Sequence, residues 1–494
     1  MSRVWSDLQH AIFDAAQNTN DNLFILAKAG SGKTTTIEEV YKRIKGTRVF
    51  LAFNKSIANE LVTRGLYAKT FHGLCAAAVH KYKNTSDVDT RKMVRLFHEV
   101  KLTRQDDLYS SFVRRLVGLG KNHAVGCKGF RPNNVQTWES IAKHYNLEFD
   151  SELCTMPRAC ELAVDLLDAS IADPQIDFDD MLYLAVYHNL DLSSYELVFV
   201  DETQDTNEIQ RCVIRKLLGA SGRLVAVGDP NQSIYAFRGA DSSAVDVLVE
   251  EFSCKVFPLS VTYRCAKNIT AYAQQWVPDI TCPDTAPEGV VKHLATWDEK
   301  TFQPTDLIIA RRVKEVLGVG FFLIKNQVPV TILGREIGDG LKMLAKKMGN
   351  SIDEIERSLV SWRDREMNKA LKAEDDERAE AANDKASALL NVIEGLPEDQ
   401  RTVETLMSVL DYLFHPGKQA VTISTIHKCK GLEADRVFWV NRDKMGVRNR
   451  RKAVPEWEKQ QDDNLCYVAA TRAKSELLFI THEDKAGLKT EVQV

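Results

Sequence analysis

The sequence predicts an α/β fold whose parallel sheet carries its functional groups at the strand ends. Three features predict it. An apolar run, Leu23-Phe24-Ile25-Leu26, leads into Ala27-Lys28-Ala29-Gly30-Ser31-Gly32-Lys33-Thr34, and a helical pattern, Thr35-Thr36-Ile37-Glu38-Glu39-Val40, follows. Strand, glycine-rich turn and helix are the context of a phosphate-binding loop. A second apolar run, Leu197-Val198-Phe199-Val200, ends in Asp201-Glu202-Thr203-Gln204-Asp205. The second half repeats the pattern of apolar run and polar end at 307–311, 421–433 and 437–440, with no second phosphate loop.

Small residues in the loop let successive backbone N–H groups curl around phosphates, with the N-terminus of the following helix facing the negative charge. Lys33 is placed to reach the β and γ phosphates, and the Thr34 hydroxyl to ligate magnesium. Ala27, Gly30, Ser31, Gly32 and Thr35 complete the expected nucleotide cradle. Ala27 stands where the usual pattern has glycine, which fits if the turn needs no positive φ there. At the second strand end, Asp201 is the expected magnesium carboxylate and Glu202 the group that orients or deprotonates an attacking water.

The chain has 494 residues, enough for about two to four domains. Its 44% apolar and 27% charged content is that of a soluble globular protein. A formal net charge of -4 neither announces nor excludes a nucleic-acid partner, since a basic groove can coexist with acidic surfaces. Ten cysteines are scattered without Cys-x-x-Cys pairs or zinc-finger spacing, so thiols in a reducing compartment are expected. The N-terminus does not read as a signal peptide, and no apolar run is long enough to span a bilayer. A cytoplasmic location without membrane contact is the resulting expectation.

Taken in order, residues 5–22 read as a helix carrying Gln9, either an ordinary exposed glutamine or an amide able to pair with an adenine edge. Strand 48–53 runs into Asn54, and a third signal covers 68–73 with Thr70, Phe71 and His72; α/β sheets build their sites at such ends. Residues 74–175 read as a helical interruption. Its Arg104, Arg114, Arg115, Lys121, Lys128 and Arg131 suit either a phosphate backbone or solubilising charge. Strand 223–228 ends before Gln232, whose amide is placed to report a γ-phosphate. Tyr235, Phe237 and Arg238 then offer stacking and charge for single-stranded bases, with core packing the alternative for Phe237. Residues 256–259 read as the first strand of the second half. Residues 336–417 interrupt that half with charged helices whose acidic centre would repel phosphate, as a structural arm or partner surface would. Arg472 sits on the last helical pattern, with a guanidinium suited to bridging phosphate oxygens or to the surface.

The ordered motifs resemble those of the UvrD/Rep/PcrA-like superfamily 1 helicases. They are the loop 27–34, Ile176-Asp177-Phe178-Asp179-Asp180-Met181, Val200-Asp201-Glu202-Thr203-Gln204-Asp205 and Val227-Gly228-Asp229-Pro230-Asn231-Gln232-Ser233-Ile234-Tyr235-Ala236-Phe237-Arg238-Gly239-Ala240. Thr262-Tyr263-Arg264, His427-Lys428-Cys429-Lys430-Gly431-Leu432-Glu433 and Tyr467-Val468-Ala469-Ala470-Thr471-Arg472-Ala473 complete the set. The resemblance implies two RecA-like P-loop NTPase domains, each interrupted by a mainly helical insertion. The first would use 1–75 and 176–255 around insertion 76–175; the second would use 256–335 and 418–484 around insertion 336–417, with a tail at 485–494.

The resemblance further implies ATP and Mg2+ as cofactors, single-stranded DNA and single-strand/duplex junctions as partners alongside replication or repair proteins, and 3′→5′ movement. It gives adenine recognition to Gln9, base stacking to Tyr263 and a ribose- or phosphate-side role to Glu433. Gln232 would couple the γ-phosphate to DNA, and Arg264 and Arg472 would act as arginine fingers. Phe53, Asn54, Thr70, Phe71, His72, Phe178, Tyr235, Phe237, Arg238 and His427 would form the DNA track. Phe237 stands where the family often has tryptophan, Asp462-Asp463 where it has paired glutamates, and Cys429 where serine is common. Three other readings share the sequence: a translocase that displaces proteins with weak unwinding, an ATP-independent DNA-binding scaffold, and an RNA-directed motor, since no residue here measures the sugar.

Overall fold

The computed structural model describes residues 4–85, 87–145, 147, 155–234, 244–372, 376–413, 420–445 and 456–481. They divide into two compact units, Met1–Ser260 and Val261–Val494.

Unit 1 is built on β1 (Leu23–Ala27), β2 (Arg48–Ala52), β3 (Ala68–Thr70), β4 (Leu197–Val200), β5 (Arg223–Gly228) and β6 (Lys255–Leu259). They form one sheet in the order β3-β2-β4-β5-β1-β6, with every pairing parallel. Strand residues alternate between faces. Leu23, Ile25, Phe50, Phe199, Val225 and Val227 enter one buried cluster, while Phe24, Val49, Leu51, Val198, Val200 and Leu224 enter another. Burial on both faces is why these strands read as continuous apolar runs.

The first helix, Asp7–Asn18, begins at Ser6, whose side chain closes a capping box with Gln9. Helices Lys92–Val100, Ser110–Asn122, Val135–His144 and Met156–Ala172 occupy the stretch read as a helical interruption. Their Phe97, Val113, Leu116, Trp138 and Leu166 share one core with the second sheet face. Lys121, considered above for phosphate, is corrected. It is 1% exposed, and its ammonium lies 2.7 Å from Asp180 and 2.9 Å from Asp177. Lys92 meets the other oxygen of Asp180 at 2.7 Å. Buried charges persist when paired, and this cluster fixes the helices to one another.

The run 256–259 also differs from expectation. It lies in β6, which pairs with β1, so it closes the edge of the first sheet instead of opening the second. An apolar run carries no label for the sheet it joins; the vacant β1 edge decides.

Unit 2 carries β7 (Val290–His293), β8 (Leu307–Ala310), β9 (Val330–Ile332), β10 (Val421–Thr425), β11 (Ala434–Val440) and β12 (Ala473–Ile480). Their order is β7-β12-β11-β8-β10-β9, again all parallel. Helices Arg335–Met348, Ile352–Lys372, Asp376–Glu394 and Val403–Leu413 fill most of the second interruption. The expectation of a structural arm is corrected. Ile355, Leu359, Leu389, Val392, Leu406 and Leu410 are buried in the same core as Ile308, Val421 and Phe438 of the sheet. On the helix Ile352–Lys372, Asp353, Glu354 and Arg357 are exposed while Ile352, Ile355 and Leu359 are buried, so surface charge masks the apolar stripe in a simple count. Among the described residues no helix is long and apolar enough to cross a membrane.

Candidate nucleotide and nucleic-acid site

In unit 1 the adjacent strands β4, β5 and β1 end side by side. From β1 the loop turns through Gly30 at φ 72° and Gly32 at φ 83°, a left-handed region that favours glycine. Gly32 caps the helix Lys33–Arg43. The turn is held from inside: the Ser31 hydroxyl donates to the Lys28 carbonyl at 2.7 Å, and the Thr36 hydroxyl to that of Gly32 at 2.9 Å. The expected cradle residues Ala27, Gly30, Ser31, Gly32, Lys33, Thr34 and Thr35 thus lie on one turn and the start of one helix.

Gln9 lies against this turn and is 6% exposed. Its Nε2 donates to Thr36 Oγ1 at 2.9 Å, and its Oε1 accepts the Ser6 N–H at 3.0 Å. Of the two readings of Gln9, the exposed glutamine is therefore corrected: one end of its amide ties to Thr36 beside the loop and the other closes the capping box of its own helix.

Across the loop stand the β4 carboxylates. Lys33 Nζ is 3.4 Å from Glu202 Oε1, and Thr34 Oγ1 donates to Asp201 Oδ2 at 3.3 Å. Glu202 has φ 52°, a left-handed conformation that costs a side-chain-bearing residue and persists where its surroundings over-determine it. Burial, and next the neighbouring Glu202, push the Asp201 carboxyl up to about 6, with Lys33 opposing. A buried carboxylate with a raised pKa beside a hydroxyl suits a hard divalent cation, so Thr34 and Asp201 fit magnesium.

From β5, Gln232 is 4% exposed and its Nε2 donates to Asp229 Oδ2 at 2.7 Å. Burial pushes the Asp229 carboxyl up, against Lys33, the Gln232 bond and Lys28. Lys28 Nζ reaches Asn231 Oδ1 at 3.4 Å. The loop of β1 and the loop of β5 are thereby joined.

The remaining unit 1 candidates gather at the ends of β2 and β3. Asn54 caps helix Lys55–Thr63 and Thr70 caps helix Phe71–Lys83. The His72 and Phe178 rings lie 4.4 Å apart at 33°, and Phe178 is 60% exposed. Phe53 packs edge-on to Phe71 at 5.8 Å. Phe71 itself is 1% exposed, so its expected contact with DNA is corrected: it is a core residue that supports Phe53. Tyr235, Phe237 and Arg238 lie outside the described residues.

In unit 2, Tyr263 is 55% exposed. Arg264 Nε donates to Glu433 Oε2 at 2.6 Å, and Lys474 meets the other Glu433 oxygen at 2.9 Å. Arg472 is 1% exposed. Its guanidinium donates to the Val468 carbonyl at 2.9 Å, the Leu432 carbonyl at 3.1 Å and the Thr471 hydroxyl at 3.2 Å; the surface reading of Arg472 is corrected. Burial, then repulsion from Arg264, lower its pKa. His427, at the end of β10, lies 3.2 Å from the Arg311 guanidinium at the end of β8. Sequence reasoning gave no role to Lys28, Gln204 or Arg311, because a polar residue in a turn has no periodicity; the signal was their place at strand ends, Lys28 directly after β1, Arg311 directly after β8 and Gln204 in the acidic turn after β4.

Two parallel sheets, one bearing a phosphate loop faced by an acidic strand end, define a P-loop NTPase with tandem RecA-like domains. The profile of the UvrD/REP helicase N-terminal domain matches residues 8–253, and that of the UvrD-like helicase C-terminal domain matches 166–484. The chain belongs to the UvrD-like helicase family. F-box DNA helicase 1 of Gallus gallus is 24% identical over 500 residues, covering 92% of this chain and 47% of the relative. F-box DNA helicase protein 1 of Schizosaccharomyces pombe is 24% identical, covering 95% and 57%. ATP-dependent DNA helicase PcrA of Staphylococcus epidermidis is 25% identical over 300 residues, covering 53% and 38%. The chain thus spans about half the length of the curated relatives it matches.

Proposed function

We propose that this chain is an ATP-dependent DNA helicase that moves 3′→5′ on single-stranded DNA and separates duplex at a junction. The observation that carries the reading is the opposition of Lys33 and Thr34 to Glu202 and Asp201 at 3.4 and 3.3 Å, within a family whose sampled members are named DNA helicases. Lys33 and the loop N–H groups hold the β and γ phosphates. Thr34 and Asp201 hold magnesium, which neutralises phosphate charge when bound. Glu202 accepts the proton of the attacking water. Gln9 braces the loop near adenine, Tyr263 stacks on the base and Glu433 orients the Arg264 guanidinium. Arg264 and Arg472 stabilise developing phosphoryl charge, and Gln232 senses the γ-phosphate.

Phe53, Asn54, Thr70, His72, Phe178 and His427 contact the strand, and Tyr235, Phe237 and Arg238, which follow Gln232 in sequence, are proposed to do so as well. Residues 76–175 and 336–417 are proposed as the insertions of the two RecA-like domains. Replication or repair proteins are the proposed partners. Free cysteines among the described residues support a reducing compartment such as the cytoplasm.

A purified chain should release phosphate faster with single-stranded DNA, and should unwind a partial duplex with a 3′ tail in preference to a 5′ tail. Hydrolysis unchanged by DNA overturns the motor reading. Stimulated hydrolysis without strand separation leaves a translocase.

A further inference from the structure

Between the β4 carboxylates and the β5 loop stands Gln204, 1% exposed. Its Nε2 donates to Glu202 Oε2 at 2.5 Å, and its Oε1 accepts the Asp229 N–H at 3.0 Å. Only this orientation of the amide serves both neighbours, because a carboxylate accepts and an N–H donates. The backbone is stitched across the same gap. Thr203 Oγ1 donates to the Val227 carbonyl at 2.9 Å, and Ser233 Oγ donates to the Gln204 carbonyl at 3.3 Å. The close approach requires Gly228: a Cβ there would lie 2.3 Å from Thr203 Oγ1 and 2.9 Å from Gln204 Oε1.

We infer that Gln204 is a positioning residue, which aims the Glu202 carboxylate and ties its aim to the loop that carries Asp229 and Gln232. The inference rests on the reading of Glu202 as the group that activates water. One Glu202 oxygen faces Lys33 and the other faces Gln204, so the carboxylate is held at both ends and its rotation is restricted. A general base acts only within hydrogen-bond reach of the proton it takes, so its aim limits turnover more than nucleotide affinity. Because the other end of the same amide holds the first residue of the β5 loop, a shift of that loop is transmitted to Glu202 through one side chain. Single-stranded DNA bound beside Gln232 would act on hydrolysis by this route.

Two substitutions separate positioning from simple bracing. Gln204→Met keeps the length and removes both polar contacts. Gln204→Glu keeps the acceptor for the Asp229 N–H and removes the donor to Glu202. Steady-state hydrolysis is measured for the full chain with and without single-stranded DNA, together with a thermal melt. Both variants should lose about tenfold or more in kcat, with KM for ATP within about twofold of wild type. The ratio of DNA-stimulated to basal kcat should fall in both, since each variant breaks the contact to Glu202 through which the loop would act.

A Gln204→Glu variant with wild-type kcat overturns the positioning role and leaves only a brace on Asp229. A wild-type Gln204→Met overturns the positioning role and the brace together. Should Gln204→Met fail to fold, Gln204→Glu alone decides. Glu202→Gln run in parallel keeps the two readings apart. Wild-type turnover in Glu202→Gln overturns the role of Glu202, whereas a dead Glu202→Gln beside wild-type Gln204 variants overturns only the inference about Gln204.

Discussion

Arg264 and Arg472 converge on one residue: Arg264 Nη1 donates to the Thr471 carbonyl at 3.1 Å, and Arg472 Nη2 to the Thr471 hydroxyl at 3.2 Å. Two cations drawn to one point repel each other, and an anion placed beside them relieves that repulsion. The two have different surroundings, Arg264 sharing Glu433 with Lys474 and Arg472 anchored on backbone carbonyls.

Their substitutions should therefore behave differently. Arg264→Ala should lower DNA-stimulated kcat by about 10²–10³-fold, toward the range of a lost arginine finger, with little change in the unfolding midpoint. Arg472→Ala should also destabilise the fold by about 1–3 kcal/mol, because buried carbonyls lose their donor. Denaturant titration beside steady-state kinetics distinguishes them, and equal effects on both measures would contradict this division.

Lys33→Ala and Glu202→Gln should part at the binding step. The first removes the ammonium that faces phosphate, so ATP affinity and turnover both fall. The second keeps the shape of the side chain and removes its basicity, so nucleotide still binds while kcat drops about 10²–10⁴-fold. Equilibrium binding of a fluorescent ATP analogue, set beside phosphate release, reads both.

Phe178→Ala should weaken single-stranded DNA binding by about 1–3 kcal/mol, the contribution of one stacking platform. The ring is exposed, and His72 holds it from behind. Fluorescence anisotropy with a short oligonucleotide should show the loss, and unchanged affinity would remove Phe178 from the track.

Asp106 gives a test by pH. It accepts Arg158 Nε and Nη2 at 3.1 and 3.0 Å and the backbone N–H groups of Leu102 and Thr103 at 2.8 and 3.0 Å. The Arg158 hydrogen bonds, opposed by burial, bring its carboxyl from 3.8 down to about 2. A carboxyl with a lowered folded pKa stabilises the fold above its unfolded value and loses that contribution as pH falls through the folded one. Asp106→Asn should therefore cost about 2 kcal/mol near neutral pH, and the difference from wild type should shrink between pH 4 and 2. A gap that stays constant across that range would exclude the ionised carboxylate as its source.

The phosphate loop, the acidic end of β4 and the apolar strands were legible because each depends on local chain properties. Glycine permits the turn at Gly30 and Gly32, and a parallel strand buried on both faces needs an unbroken apolar run. Strands β7 and β9 escaped reading because each is very short, and β7 lies largely exposed without an apolar run. The buried stripe of the helices within 336–417 escaped for another reason: its apolar positions are interspersed with charged ones.

The sequence by itself thus determined the fold class, the phosphate loop and the carboxylates facing it. Only the tertiary structure decided that β6 completes the first sheet, that Lys121 and Phe71 are interior, and that the Gln204 amide spans from Glu202 to Asp229. The physical reason is range. Backbone propensity and periodicity act between neighbours along the chain, whereas burial, ion pairing and amide bridging depend on groups that folding alone brings within a few ångströms.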